Sequence, residues 1–307
     1  MRLAVLCPHF APDLAPTGVV MTRIVEELAA RGHRLDVVTA LPWYEHHRVE
    51  AEWGGRPVRT EATAWGSITR VHPFPTDKRS IPRRAVAFGG FSALAGVCGL
   101  RGGRADGVLA MSPPLTLGLT GRLMATARRA PLVFNIQDVF PDVAIELGAI
   151  TNERVIDAAR RLERTSYRAA DAVTVLSDDL RENVAGKLPP SERAKVRVIP
   201  NFVDTTAITP QDRMTSYRRQ LGIGTETVVM YAGNVGLSQS LELILAAAEK
   251  LTYREDIVFV VNGGGSARPD RERRAMGMTN VRFADYQPPV RLGEVLATSG
   301  RAAARIE

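Results

Sequence analysis

Cysteine is nearly missing: Cys7 and Cys98 are the only two among 307 residues. They lie far apart in no ligand-spaced motif, which excludes a disulfide framework, a zinc knuckle and a dithiol redox pair. Both read as buried thiols of a reducing cytoplasm. Aromatics are scarce as well, at 6%, and no basic-aromatic platform or recognition motif supports nucleic-acid binding. An uncharged apolar run of about 18 residues, the length of a membrane span, is absent. The opening stretch MRLAVLCPHFAPD carries one Arg and a short apolar run that reads as a strand, without the length or cleavage site of a signal peptide. Histidines 9, 33, 46, 47 and 72 show no ligand spacing, so no metal is expected. The fingerprint G-x-G-x-x-G is missing too, which argues against a nicotinamide enzyme or a nucleotide-sugar epimerase of Rossmann type.

What is present is an ordinary globular balance, 45% hydrophobic and 24% charged, with a formal net charge of +7. Of 40 basic residues only Lys78, Lys187, Lys195 and Lys250 are lysines. A basic surface suits acidic partners such as nucleotide diphosphates or phospholipid headgroups. The length fits about two domains of ~150 residues each.

Strand and helix patterns alternate from the start. Strands are expected at Leu3–Cys7, Leu35–Thr39, Ile68–Val71, Gly107–Met111, Pro131–Ile136, Ala172–Leu176 and Val196–Ile199. Helices are expected at Val19–Ala30, Leu115–Arg128 and Glu153–Ala169, with another opened by Ser177-Asp178-Asp179. This rhythm implies right-handed crossovers and a parallel sheet covered on both faces, filling residues 1–205. The polar stretch Thr205–Gly224 breaks it and reads as a linker. A second α/β series occupies 206–307: strand from Thr227, helix 238–251, strand Ile257–Val261, helix near 269–277, strand Val281–Ala284, helix near 288–298. Three strands are about half of a doubly wound nucleotide-binding unit, and the ending SGRAAARIE has no apolar period for a fourth. The second domain therefore reads as incomplete.

Four stretches are candidates for chemistry. The first is the loop Pro8–Gly18 after the first strand, where open α/β sheets bind ligands. Gly18 at the helix mouth would let a phosphate approach the backbone, although an ordinary Pro-rich connector is the open alternative. The second is NIQDVFPD at 135–142, leaving the end of a buried strand. Asp138 is read as functional, orienting hydroxyls or acting as a base, and Asp142 as a structural cap. The third is YAGNVGLSQS at 231–240, where Gly233, Asn234 and Gly236 precede a helix expected to start near Ser238. The fourth, Val261-Asn262-Gly263-Gly264-Gly265-Ser266, repeats the arrangement one strand later. Glycine turns ahead of helix starts offer free N–H groups to a diphosphate.

Another segment admits two readings. Ala85–Leu100 is uncharged and follows Lys78, Arg79, Arg83 and Arg84, so it could rest on an anionic membrane surface. The alternative, favoured because the sheet also has to be covered, is a buried crossover helix.

Together these motifs resemble glycosyltransferase family 4, of the two-domain GT-B fold, and within it the bacterial colanic-acid and O-antigen type. The likeness is carried by the first strand and its loop to Gly18, ELAARGH at 27–33, NIQDVFPD, VIPNFVD at 198–204, YAGNVGLSQSLE at 231–242 and DYQP at 285–288. It implies two Rossmann-like domains, the first taking the acceptor and the second a nucleotide sugar. It also implies transfer with retention in the cleft, without metal or cofactor. The donor would be UDP-linked, and the acceptor lipid-linked or a polysaccharide in cell-surface polysaccharide synthesis. The location would be cytoplasmic, with peripheral contact at the inner face of the plasma membrane. Carried over residue by residue, Gly18, Gly233 and Asn234 would face the donor diphosphate. Gly263, Gly264 and Gly265 would line the nucleotide side, and Asp138 would fall at the catalytic strand end, preceded by Gln137 where many relatives have His. The family's Glu-x7-Glu motif and its phosphate-binding basic residue are not found, and the crossing-back helix is missing. A shortened, non-catalytic remnant that keeps only the acceptor domain is therefore the alternative reading.

Overall fold

Leu132–Ile136 (LVFNI) and its parallel neighbours are apolar runs buried on both faces, as a sheet covered by helices on both sides demands. The computed structural model describes residues 1–44, 48–76, 81–206, 208–236 and 239–299. These form two compact units, Met1–Phe202 and the chain from Val203 onward.

In the first unit the strands are β1 (Arg2–Leu6), β2 (Arg34–Ala40), β3 (Val58–Thr63), β4 (Gly66–Val71), β5 (Gly107–Ser112), β6 (Leu132–Ile136), β7 (Ala172–Val175) and β8 (Val196–Val198). They make one sheet in the order β3-β4-β2-β1-β5-β6-β7-β8. β3 pairs antiparallel with β4, and the remaining pairs are parallel. The chain builds outward from β1 through β2 to the β3 edge, then returns to β5 on the other side of β1. That reversal opens a crevice above the carboxyl ends of β1 and β5, where open α/β sheets hold ligands.

The helices of this unit are α1 (Pro16–Ala30), α2 (Ile81–Leu100), α3 (Thr116–Arg128), α4 (Asp142–Glu146), α5 (Glu153–Ala169) and α6 (Asp178–Gly186). α1 opens with Pro at its first position and is followed by Gly32 at φ 80°, a start and a stop that both suit the backbone. Its Met21 and Val25 pack on Val5, Val37 and Met111 on one face of the sheet. On the other face Phe91 of α2, Met124 of α3 and Tyr167 of α5 join Leu6, Val38 and Phe134. Each fully buried side chain of this size contributes about 1.5–3 kcal/mol.

The second unit is a parallel sheet ordered β11-β10-β9, from β9 (Thr227–Ala232), β10 (Ile257–Asn262) and β11 (Val281–Ala284). Its helices are α7 (Ser216–Gln220), α8 (Leu241–Lys250), α9 (Arg268–Arg274) and α10 (Leu292–Ala297).

Several expectations need correction. The polar stretch read as a linker contains α7, whose Tyr217 and Arg218 are buried. Arg218, 1% exposed, donates to the carbonyls of Gly224 (2.5 Å), Thr298 (2.8 Å) and Glu226. A guanidinium satisfied by three carbonyls can be buried, which polarity alone does not reveal. α8 begins at Leu241, not near Ser238; Ser238 itself lies outside the described residues, as do His46, His47, Lys78, Arg79 and the tail from 300. Among the described residues no helix is long and apolar enough to cross a membrane. α2 does cover the sheet through Ala87, Phe91 and Ala95, while Val86, Val97 and Leu100 stay exposed on its outer side.

Candidate functional site

At the ends of β6, β7 and β8 three amide side chains form a hydrogen-bonded line. Asn135 donates to Thr174 Oγ1 (2.9 Å), Gln137 donates to Asn135 Oδ1 (2.6 Å), and Asn201 donates to Gln137 Oε1 (2.9 Å). Asn135 and Gln137 are buried, so each bond also removes the cost of a stranded polar group. The line fixes the turn that carries Asp138. The Asp138 carboxylate reaches solvent, makes no hydrogen bond to a described residue, and is held above the usual carboxyl range by burial among its neighbours. Asp142 is not a cap: as the first residue of α4 it makes no capping bond, and its carboxylate accepts from Lys187 (2.6 Å) and Asn183 (3.2 Å) of the α6 end. It is a tether. Desolvation pushes its carboxyl upward, but those bonds prevail and hold it below its ordinary value.

Above β1 and β5 lies a cavity of about 290 Å³, walled by Pro8, His9, Trp43, Tyr44, Phe74, Phe88 and Phe91 with Pro113 and Pro114 of the β5 loop. His9, set aside above for lacking ligand spacing, is the polar centre of one wall. Its Nδ1 meets Asp13 Oδ2 at 2.7 Å, and its ring stacks on Trp43 with centroids 5.5 Å apart. Asp13 is 3% exposed, and its other oxygen accepts the Tyr44 N–H at 3.2 Å. Gly18 lies buried in the first turn of α1, and a β-carbon there would stand 2.8 Å from His9 Cβ. Its missing side chain is what seats His9. Phe74 forms part of the wall from φ 53°, the left-handed region an aromatic residue seldom occupies, at an order-of-magnitude cost of ~1–3 kcal/mol. Beneath the loop, burial pushes the Cys7 thiol up to about 12, so it stays protonated and inert.

The glycine turns of the second unit pair with each other. Gly233 N–H donates to Asn262 O (2.9 Å), Val235 N–H to Gly264 O (2.8 Å) and Gly263 N–H to Ala284 O (2.9 Å), so the parallel ladder continues past the strand ends. Gly263 at φ 149° and Gly265 at φ 154° are required: β-carbons there would stand 1.8 Å from Gly233 O and 2.3 Å from Val235 O. The expectation that all these N–H groups face a ligand is corrected, because those of Gly233 and Gly263 are spent on the fold. The N–H groups of Asn234, Gly264 and Gly265 donate to no described residue. Arg268 braces the arrangement, donating to Gly263 O (2.7 Å), Asp285 Oδ1 (2.5 Å) and Glu272 Oε1 (2.7 Å). Tyr286 lies over Gly264 and donates its hydroxyl to that carbonyl at 3.1 Å.

Residues 17–201, which carry the first unit's sheet from α1 to β8, match the model of the glycosyl transferase 4-like domain. The chain belongs to that family. This glycosyl transferase 4-like chain is 26% identical over 297 residues to the putative colanic acid biosynthesis glycosyl transferase WcaI of Escherichia coli (strain K12), a match covering 94% of the chain and 72% of the relative. Its fold is similar to that of Anabaena Alr3699/HepE, solved in complex with UDP-glucose, at a TM-score of 0.63 and 13% identity over 97% of this chain and 72% of that one. It is also similar to WaaG, a glycosyltransferase involved in lipopolysaccharide biosynthesis, at a TM-score of 0.58 and 15% identity over 97% and 73%. The chain is thus a glycosyl transferase 4-like protein with the fold of these two glycosyltransferases.

Proposed function

We propose that the chain descends from, and acts as, a retaining transferase that takes a hexose from a UDP-linked donor held by the second unit. The acceptor is a lipid-linked or polysaccharide glycan of the cell surface, held by the first. The observation that carries this reading is the pair of interlocked glycine turns at the ends of β9 and β10. Their Asn234, Gly264 and Gly265 N–H groups are left for a diphosphate, while Gly233 and Gly263 shape the corner. Breaking a glycosyl–phosphate bond leaves negative charge on the diphosphate, and fixed backbone dipoles stabilise that charge without reorganising at the moment of reaction. Loss of one such donor typically costs about 2.7–4 kcal/mol of barrier.

Asp138, at the ligand edge of the first unit with its carboxyl raised by burial, suits an acid–base or hydroxyl-orienting task. The exposed Val86, Val97 and Leu100 of α2, with the exposed Arg83 and Arg84 in its first turn, support a peripheral contact with an anionic membrane. UDP-bound glucose in the HepE structure is of the same donor class.

The test is incubation of the purified chain with octyl β-D-glucopyranoside as acceptor and UDP-glucose, UDP-galactose or GDP-mannose as donor, with the anomeric configuration of the glycoside product read by proton NMR. Consumption of a UDP-hexose with the donor's anomeric configuration kept is the expected result. Preference for the GDP-sugar, an inverted product, or no consumption of any donor would overturn the reading.

A further inference from the structure

α4 is five residues long and buries none of them. A helix this short does not hold itself together in water, yet it begins where the Asp138 turn ends. What fixes it is an ion bridge. Lys187, the residue that closes α6, donates from Nζ to Asp142 Oδ2 of α4 (2.6 Å) and to Glu163 Oε1 of α5 (2.6 Å). The same Glu163 oxygen accepts the Tyr167 hydroxyl at 3.0 Å, and Asn183 adds a bond to Asp142 at 3.2 Å. One ammonium therefore joins three helices.

The bridge is costly for a mere fastening. Glu163 is 1% exposed, and its Oε2 is bonded to nothing among the described residues. Packed apolar side chains in such places are often as stabilising as a buried ion pair, or more so. An orphaned buried oxygen calls for an explanation. What ions add is direction, because hydrogen bonds between charged groups are short and fix their partners in space.

The turn supplies the explanation. Asp138 stands between two anchors: Gln137, tied to Asn135 and Asn201, and Asp142, tied to Lys187. Its own carboxylate bonds to no described residue, so its position is inherited from those anchors. Val143 N–H to Val139 O (3.3 Å) and Ile145 N–H to Pro141 O (3.0 Å) carry the restraint from α4 back into the turn.

We propose that Lys187 is a positioning residue for Asp138, its ammonium bridging Asp142 to Glu163 so that the turn presents the Asp138 carboxylate at the ligand edge of the sheet. The task of Asp138 rests on the transferase reading above; the way the turn is held does not. A displacement of about 1 Å at a reacting group costs about 10²-fold in rate, which is what the bridge prevents.

The experiment compares four variants of the full chain. Asp142→Ala cuts α4 loose and leaves the Lys187–Glu163 pair intact, so it folds even if Lys187→Met does not. Lys187→Arg keeps the charge, and there is room for it because Lys187 borders an open groove lined by Arg161, Arg164 and Arg168. Lys195→Met is the control: it removes an ammonium bonded to Glu192 (2.8 Å) and to the carbonyls of Arg168 and Ala170, without touching α4. Hydrogen exchange of the Val143 and Ile145 amides, carbon-13 titration of the Asp138 carboxyl, and kcat with UDP-glucose and octyl β-D-glucopyranoside are read for each.

In Asp142→Ala and Lys187→Met, exchange at Val143 and Ile145 should rise about tenfold more than at Phe134 of β6, a local opening and not a global one. Asp138 should titrate closer to the ordinary carboxyl range, and kcat should fall about 10–10²-fold. Lys187→Arg and Lys195→Met should keep the parent values. In an Asp138→Asn background Lys187→Met should remove no further activity, since the two act through one carboxylate. Unchanged exchange and Asp138 titration in Asp142→Ala would overturn the proposal. So would the same changes in Lys195→Met, or a Lys187→Met loss as large in the Asp138→Asn background as in the parent. Should the parent transfer no hexose, the transferase reading fails separately, and exchange and titration still decide how the turn is held.

Discussion

The backbone of Gly263 runs so close to that of Gly233 that a β-carbon on the first would stand 1.8 Å from the carbonyl oxygen of the second. The corner read as the diphosphate site is therefore a product of two loops locked together, and neither can move alone. Gly263→Ala should unfold or displace it, losing about 1–3 kcal/mol from the backbone conformation alone, with the collision adding to that. Gly222 is the control: it also has positive φ, 67°, but nothing lies within 4 Å of its absent β-carbon. Gly222→Ala should cost only about 1–2 kcal/mol and leave nucleotide binding intact. Thermal denaturation and UDP titration of both variants check the contrast.

Asp138 should separate activity from stability. Burial disfavours its ionised form, so at neutral pH the charge is less favourable in the folded chain than in the unfolded one. Asp138→Asn should raise the denaturation midpoint slightly while lowering transfer about 10²–10⁴-fold. Breaking the amide line behind it has the opposite sign for stability. Gln137→Leu strands Asn135 and should cost about 1–3 kcal/mol, read from urea denaturation.

Acid should loosen the second unit through Glu294. Its carboxylate accepts from Arg291 (2.9 Å), the Ser216 hydroxyl and the Tyr217 N–H (2.7 Å), joining α10 to α7. Those bonds, Arg291's foremost, depress it from an ordinary 4.5 to about 2. A carboxyl with a depressed folded value stabilises the fold fully above its unfolded value, and that stabilisation is lost as pH falls through the folded one. The stability gap between the parent and Glu294→Gln should therefore be constant above about pH 5 and shrink steadily towards pH 2. A gap that persists at pH 2 would contradict this role.

Much of this architecture was legible in the residues, for a physical reason. Strands such as Leu132–Ile136 and Ala172–Val175 are buried on both faces, so their apolar runs survive in the sequence. β3 is an edge strand bearing Arg59, Thr60 and Glu61, and solvent on its flank erases the pattern. Tyr217 and Arg218 escaped notice because a short helix with a satisfied arginine looks like a polar linker. The glycine turns were visible as glycines, but their mutual pairing, which consumes the Gly233 and Gly263 N–H groups, depends on two loops meeting across a sheet. His9 and Asp13 are four residues apart in a loop with no fixed periodicity, so only the folded chain brings their side chains together.

The central claim is that the paired corners of β9 and β10 receive a nucleoside diphosphate. Titrating nitrogen-15-labelled protein with UDP addresses it directly. The prediction is saturable movement of the Asn234, Gly264 and Gly265 amide signals, with Gly233 and Gly263 keeping their protection from hydrogen exchange. An absence of binding, or shifts confined to the first unit, would contradict it.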